Sequence, residues 1–257
     1  DEFLVPSDTS ELNDISFVYQ SPSFLKRYEQ MPWAHFRYDA SEEMNDTVSI
    51  LLRNNGVSAN VNIGYEYKVF QNNMQIDCYP KNFSLNSCED RVPPTGSFQD
   101  YALIGNYQFT NPPIVIRDSV FLTDQTLFMS DSVSFLIRHV INNGQQQDPS
   151  KNDTLYYQQA FNSSFAYDDG IAEEAYGLNV SGGKIAYQFK LNRPDILRGV
   201  QMYFPQMLNS VDHILFNLTI WDDNGGEPGS ILYQQVVSPE HTKNGEYYYY
   251  YLDSPLN

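Results

Sequence analysis

Apolar and polar positions alternate most clearly between Asp46 and Phe70. Val48, Ile50 and Leu52 alternate with Ser49, Leu51 and Arg53, and Asn54-Asn55-Gly56 then supplies a turn that tolerates positive φ. After it, Ala59, Val61, Ile63, Tyr65, Tyr67 and Val69 fall on one side, and Asn60, Asn62, Glu66 and Lys68 on the other. A period of two with one apolar and one wet face predicts antiparallel strands packed on a core. Strand patterns return at Val115–Leu122, at Asp131–Val140 and at Leu155-Tyr156-Tyr157. The run Asp131–Arg138 echoes Asp46–Arg53, and both lead into Asn-Asn-Gly. The sequences between them do not repeat, so two equivalent strands of one sandwich are expected rather than two repeats.

A second β series begins after Gly182. Ile185, Tyr187, Phe189 and Leu191 alternate with polar or small residues, as do Val200, Met202 and Phe204, then Ile214, Phe216, Leu218 and Ile220. Trp221–Gly229 is a loop, and Ile231–Val237 and Tyr247–Leu252 complete the series. Five or so strands with irregular connections predict a jelly-roll-like sandwich. Its last strand, Tyr247–Tyr251, lacks a closing neighbour, so the sheet is expected to be completed by further chain or by a partner.

The fold class predicted is therefore all-β: an Ig-like antiparallel sandwich followed by a jelly-roll-like one. Residues 1–40 carry little period and are expected to be the end of a preceding module, or an extended segment that docks on the next. Within them Ile15–Tyr19 suits a strand, Leu25–Gln30 a helical turn, and Met31–Phe36 an apolar knot around Pro32. Residues 41–162 form the first sandwich, with 71–113 as a long loop insertion or an inserted hairpin, and 163–257 the second, incomplete at its C-terminus.

Composition agrees with β structure, with 20 Tyr and 16 Phe in 257 residues. The net charge of −17 excludes nucleic acid and anionic membrane surfaces as partners. No run approaches the ~18 apolar residues of a spanning helix, so membrane insertion is not expected. The chain opens on Asp1-Glu2 without an initiator Met, which suits a processed or excised fragment. Cys78 and Cys88 sit in a polar stretch at a spacing that suits a local disulfide and an oxidising, extracellular address; two free thiols are the alternative.

Candidate chemistry gathers at Phe165–Leu178, FAYDDGIAEEAYGL, where Asp168, Asp169, Glu173 and Glu174 lie between aromatic residues. Gly170 and Gly177 break the run where positive φ is expected. With Asp222 and Asp223, Asp168 and Asp169 offer carboxylates beside glycine, the ligand type Ca²⁺ takes. The spacing is not that of an EF-hand, and turn capping explains the same acids. No other cofactor is called for.

A second candidate is stacking of sugar rings on Trp221, Tyr247, Tyr249 and Tyr251; tyrosines packing on neighbouring strands is the plain alternative. No G-x-S-x-G, H-E-x-x-H, P-loop or dinucleotide fingerprint is present. His35, His139, His213 and His241 are scattered, and His139 and His213 suit packing or surface better than catalysis. Sequons start at Asn45, Asn82, Asn152, Asn162, Asn179 and Asn217. Asp-Thr and Asp-Ser pairs before aliphatic residues, such as Asp46-Thr47-Val48 and Asp131-Ser132-Val133, also resemble O-glycan acceptors, and strand-start chemistry explains the same pairs almost as well.

Asn152-Asp153-Thr154-Leu155, FAYDDGIAEEAYGL, KIAYQFKL, LRGVQMYF, WDDNGGEPGSILYQ and YYYLDSPL together resemble a module of Bacteroidetes surface proteins exported by type IX secretion. In those proteins an Ig- or CARDB-like domain hands over to a jelly-roll-like domain opened by a YDDG-type motif. The resemblance spans about residues 45–257. The family pattern continues with further aromatic strands and a sorting domain, which this sequence does not carry.

It implies a non-catalytic structural or adhesive module pair at the cell surface, associated with the outer membrane. A carbohydrate-binding module serving a catalytic region elsewhere is the alternative, and an accessory subunit completed by a partner protein a third. Expected partners are other surface proteins, domains of the parent polypeptide, or glycans.

Overall fold

The computed structural model describes residues 14–18, 23–56, 61–79, 81–82, 87–88, 101–104, 109–110, 113–116, 120–122, 127, 129–142, 153–170, 177–178, 180–206 and 214–257. These form two compact units, Asp1–Tyr167 and Asp168–Asn257. Both are all-β apart from short helical turns.

In the first unit the strands are β1 (Ile15–Phe17), β2 (Met31–Pro32), β3 (Thr47–Ser49), β4 (Leu52–Asn54), β5 (Val61–Gln71) and β6 (Met74–Tyr79), then β7 (Lys81–Asn82), β8 (Ser87–Cys88), β9 (Tyr101–Ile104), β10 (Phe109–Thr110), β11 (Pro113–Val115), β12 (Val133–Asn142) and β13 (Thr154–Asn162). Two short helices, α1 (Trp33–Tyr38) and α2 (Ala40–Glu43), follow β2.

The main sheet runs β2-β13-β12-β5-β6, with β9 on another part of β5. Opposite it lie β1-β4-β10 and the pair β11-β3. Tyr65, Tyr67, Val69, Val133, Phe135, Ile137 and Phe161 from the main sheet share one core with Ile15, Val48 and Leu52 from the other strands. The period of two in the sequence thus marks the buried face: Tyr65, Tyr67 and Val69 are buried, whereas Glu66 and Lys68 keep partial access to solvent.

Asp46–Arg53, read as one strand, divides. Val48 pairs with β11, and Leu52 and Arg53 pair with β1 and β10. The echoing run at Asp131–Arg138 becomes β12 in the facing sheet, so the two similar segments line one core from opposite sides. Residues 143–150, which include its Asn-Gly, lie outside the described residues.

Of the segment 1–40, the described residues 23–36 dock on the sandwich, one of the two expectations for it. Phe24, Tyr28, Met31, Trp33 and Phe36 are all fully buried in the core. Trp33 stacks on Phe36 at 5.5 Å, Phe36 meets Phe161 at 4.5 Å, and Trp33 Nε1 donates to Leu127 O at 2.8 Å. A buried glutamine fixes the approach of this segment: Gln159 on β13 accepts from Ser23 Oγ and Phe24 N, and donates to Glu29 O at 2.9 Å. Periodicity cannot reveal this, because residues 23–36 are held by rings, one amide and the two-residue parallel pairing of β2 with β13 rather than by a long alternating strand. Leu25–Gln30 is not helical; Leu25 bridges to Met44 and Gln30 to Ala166.

Within 71–113 the described residues include strands, as the alternative of an inserted hairpin allows. The two-residue turn Asn72-Asn73, at φ 49 and 64, folds β6 back on β5, which suits hairpin twist. β10 pairs with β4.

In the second unit, β14 (Leu197–Met202) pairs with β17 (Tyr248–Leu256), and β15 (Phe216–Asp223) with β16 (Pro228–Val237). Leu218, Tyr250 and Leu252 form its buried cluster, with Val200, Met202, Phe204, Phe216, Tyr233, Val237 and Leu256 packed around it. Lys184–Leu191, predicted as a strand, runs outside any ladder among the described residues, and Ile185, Tyr187, Phe189 and Leu191 are exposed.

Candidate functional site

The stretch Phe165–Leu178 divides between the two units. Phe165 packs 5.1 Å from Tyr28 and 5.0 Å from His35, and Tyr167 lies 5.0 Å from Tyr28. Glu29 N donates to Ala166 O at 2.9 Å, and Ala166 N donates to Gln30 O at 2.8 Å. The aromatic half of the motif is therefore a clasp on the first unit, extending it to Tyr167 rather than Asn162.

The acidic half opens the second unit. Asp168 Oδ1 accepts from Gly170 N at 2.6 Å, and Gly170 has φ +97. This is an Asx-type turn, in which the carboxylate stands in for a backbone carbonyl. Gly177 adopts no positive φ. Glu173, Glu174 and Tyr176 lie outside the described residues.

The Trp221–Gly229 loop spends its acids in the same way. Expected as a loop throughout, it is the end of the β15–β16 hairpin: Trp221–Asp223 belong to β15 and Pro228 and Gly229 to β16, and residues 224–227 make the turn, with Asn224 N donating to Glu227 O at 2.9 Å, and Gly225 and Gly226 at φ +70 and +94. Asp223 Oδ1 accepts from Gly226 N at 3.0 Å and from Gln188 Nε2 at 2.9 Å. Asp222 Oδ1 accepts from Ser230 N at 2.5 Å, lying so close over Gly229 that any Cβ there would collide with it. Among the described residues no group of three or more His, Cys, Asp or Glu is arranged to hold a metal. Three of the four carboxylates of the two Asp-Asp pairs are seen bonding backbone N–H groups.

The aromatic candidates also separate. Tyr249 and Tyr251 share one face of β17 with ring centroids 4.2 Å apart, and Tyr251 is 72% exposed. Tyr248 and Tyr250 take the other face, 4.8 Å apart. Tyr250 is buried; its hydroxyl donates to Ser238 O at 3.1 Å and accepts from Glu240 N at 2.8 Å, and burial holds its pKa above the ordinary value. Tyr247 precedes the strand and packs 6.2 Å from Tyr203. Trp221 lies on β15, half-buried and opposite Ile231.

What the sequence reading missed is Gly199 on β14, opposite Tyr251. A Cβ there would strike the Tyr249 ring and sit 2.5 Å from Tyr250 O, so only glycine lets the ring lie across the strand. A glycine inside a strand pattern is the signal that pointed to it.

Two further groups bear on chemistry. His139 on β12 is fully buried, with Nδ1 2.5 Å from Tyr65 Oη and Phe24 and Tyr67 rings around it. Burial lowers its pKa to about 3, so it is neutral at physiological pH and serves the core. His213 lies outside the described residues, and His241 Nδ1 sits 2.8 Å from Phe204 O.

Cys78 on β6 is buried and disulfide-bonded. The chain has two cysteines, which leaves Cys88 as its partner within one chain; the Cys88 side chain is outside the described residues. Of the sequon asparagines, Asn45 donates to Leu25 O at 2.8 Å, Asn162 accepts from Ser164 N at 2.8 Å, and Asn217 is exposed.

No family model, curated protein or solved structure matches the chain.

Proposed function

We propose that the chain is a non-catalytic structural or adhesive module pair of a secreted or cell-surface protein. In this reading the first unit is an Ig-like spacer and the second a jelly-roll-like module, as in the type IX-exported surface proteins that its motifs resemble. The observation that carries it is the commitment of the acidic motifs to backbone turns: Asp168, Asp222 and Asp223 each stabilise a turn. The bonded Cys78 supports an oxidising address.

The test is surface labelling of intact producing cells with a membrane-impermeant biotin reagent, paired with thiol titration of the denatured protein. Labelling of intact cells with no free thiol is expected. Labelling only after lysis, with two free thiols, would overturn the reading.

A second reading, a carbohydrate-binding module, is favoured by the outward Tyr249–Tyr251 pair laid over Gly199. Sugar faces stack on such rings, and a pair on one rigid strand needs little ordering on binding. Intrinsic fluorescence titration with a set of oligosaccharides tests it. Saturable change that Tyr251→Ala abolishes supports it, and flat titrations with every sugar dismiss it.

A further inference from the structure

We propose that β16 is a homodimer edge: two copies of this chain pair antiparallel along Gly229–Ser238. Three observations converge on this strand. Among the described residues β16 ladders with β15 alone. What crosses from it to β17 is side chain, with Gln235 Nε2 donating to Tyr251 O at 3.0 Å and Tyr233 Oη accepting from Asp253 N at 2.8 Å.

Next, the strand exposes large apolar residues: Ile231 by 56%, Leu232 by 51% and Val236 by 62%. Last, from Pro228 to Pro239 the sequence carries no charge, and proline only at its ends. Proteins ordinarily protect a free edge with lysine, inward charge, a central proline or a very short strand. β16 has none of these over ten residues.

The occupant is a second copy because of charge and strand count. At a net −17, two copies repel over most of their surface, and the uncharged edge is where they approach at least cost. A two-stranded ribbon is marginal by itself, whereas three or more strands with an apolar face are stable. Antiparallel pairing of β16 with its twofold mate joins β15-β16 to β16-β15, a four-stranded sheet with each edge meeting its own complement. The interaction must strengthen with salt, because salt screens the net repulsion and leaves the backbone pairing untouched.

Sedimentation equilibrium of the full chain at about 0.05 and about 0.5 M NaCl tests this. A concentration-dependent dimer that tightens at high salt is expected. In the double variant Leu232→Lys/Val236→Lys, two like charges per edge should raise the dimer Kd roughly tenfold or more.

Gln234→Cys supplies an arm that does not depend on the lysine variant folding. Gln234 sits near the middle of the uncharged edge, so mild oxidation should give a covalent dimer that reductant reverses. A monomer at every concentration and salt overturns the proposal. So does a dimer that the lysine variant leaves intact while Gln234→Cys stays uncrosslinked.

Discussion

Among the described residues, the first unit buries rings from well-separated parts of its chain, while the second leaves many large apolar side chains exposed. Phe24, Trp33, Phe36, Phe121, Phe135 and Phe161 meet in one cluster, with Phe121 stacked 4.6 Å from Phe135. The second unit fully buries little more than Leu218, Tyr250 and Leu252, and leaves Ile231, Leu232, Val236 and Ile185 exposed. Both units are built from the same alternating strands. The difference is that the first supplies a facing layer and a docked N-terminal segment, whereas the described residues of the second form two ribbons of two strands. Alternation decides which side of a strand is apolar, and a second layer decides whether that side is dry.

The strongest way to break this comparison is to open the first core. Phe161→Ala removes a ring that touches Trp33, Phe36, Phe121 and Phe135, and about 3–5 kcal/mol of stability should go with it. Chemical denaturation followed by tryptophan fluorescence, dominated by buried Trp33, measures the loss. A cost below about 1 kcal/mol would mean that the cluster is not the unit's keystone.

Gly199→Ala asks the same of the second unit, where a single methyl replaces a lost ring. Its Cβ meets the Tyr250 carbonyl, which is backbone and cannot swing aside, so β14 and β17 must part locally. A destabilisation of about 1–3 kcal/mol is expected, with Tyr249 displaced from the strand. Near-ultraviolet circular dichroism of the tyrosines reports the displacement, and an unchanged spectrum with an unchanged melting curve would remove Gly199 from its role.

How much of this was legible beforehand follows from which interactions obey a period. The faces of β5, β12 and β13 and of the second ribbons are written in alternation, and so is the all-β class. The docking of Phe24–Phe36 is not, since it depends on Gln159 reaching three groups far away in sequence. The acidic motifs were visible as acids beside glycines, which favoured turn capping and left Ca²⁺ as the alternative. Hydrogen bonds to Gly170, Gly226 and Ser230 favour the turns. Tyr249 and Tyr251 were legible as a pair on one face, but Tyr247 and Trp221 were not separable from them without knowing where β17 starts and which ribbon holds the tryptophan.

His139 offers a gentler probe that acts on the first core alone. Its folded pKa of about 3 lies below the ordinary 6.5, because burial opposes the charged ring. Below pH 6.5 the unfolded chain takes up a proton that the native state refuses, so stability from this group is complete above 6.5. It falls as pH drops from there toward 3, approaching about 1.4 kcal/mol per pH unit. Carboxylates titrate over part of the same range, so the comparison to make is with His139→Gln. The variant should lose this slope between pH 6.5 and 5, and parallel curves would show that the histidine takes up its proton while folded.

The smallest effect tests whether the acids of the second unit are turn formers. Asp223 Oδ1 holds Gly226 N and the Gln188 amide at the β15–β16 turn, where Asn224 and Glu227 already close the hairpin. Asp223→Ala removes exposed hydrogen bonds that water can replace, so about 0.5–1.5 kcal/mol is expected from the second unit's unfolding. Asp223→Asn keeps a side-chain oxygen in the same place and should restore most of it. The pair separates turn capping from metal binding. A capping carboxylate gives the Asn variant near wild-type stability and melting temperatures indifferent to millimolar Ca²⁺. A ligating one gives two variants equally impaired, and a wild-type melting temperature that rises with Ca²⁺ and falls on chelation.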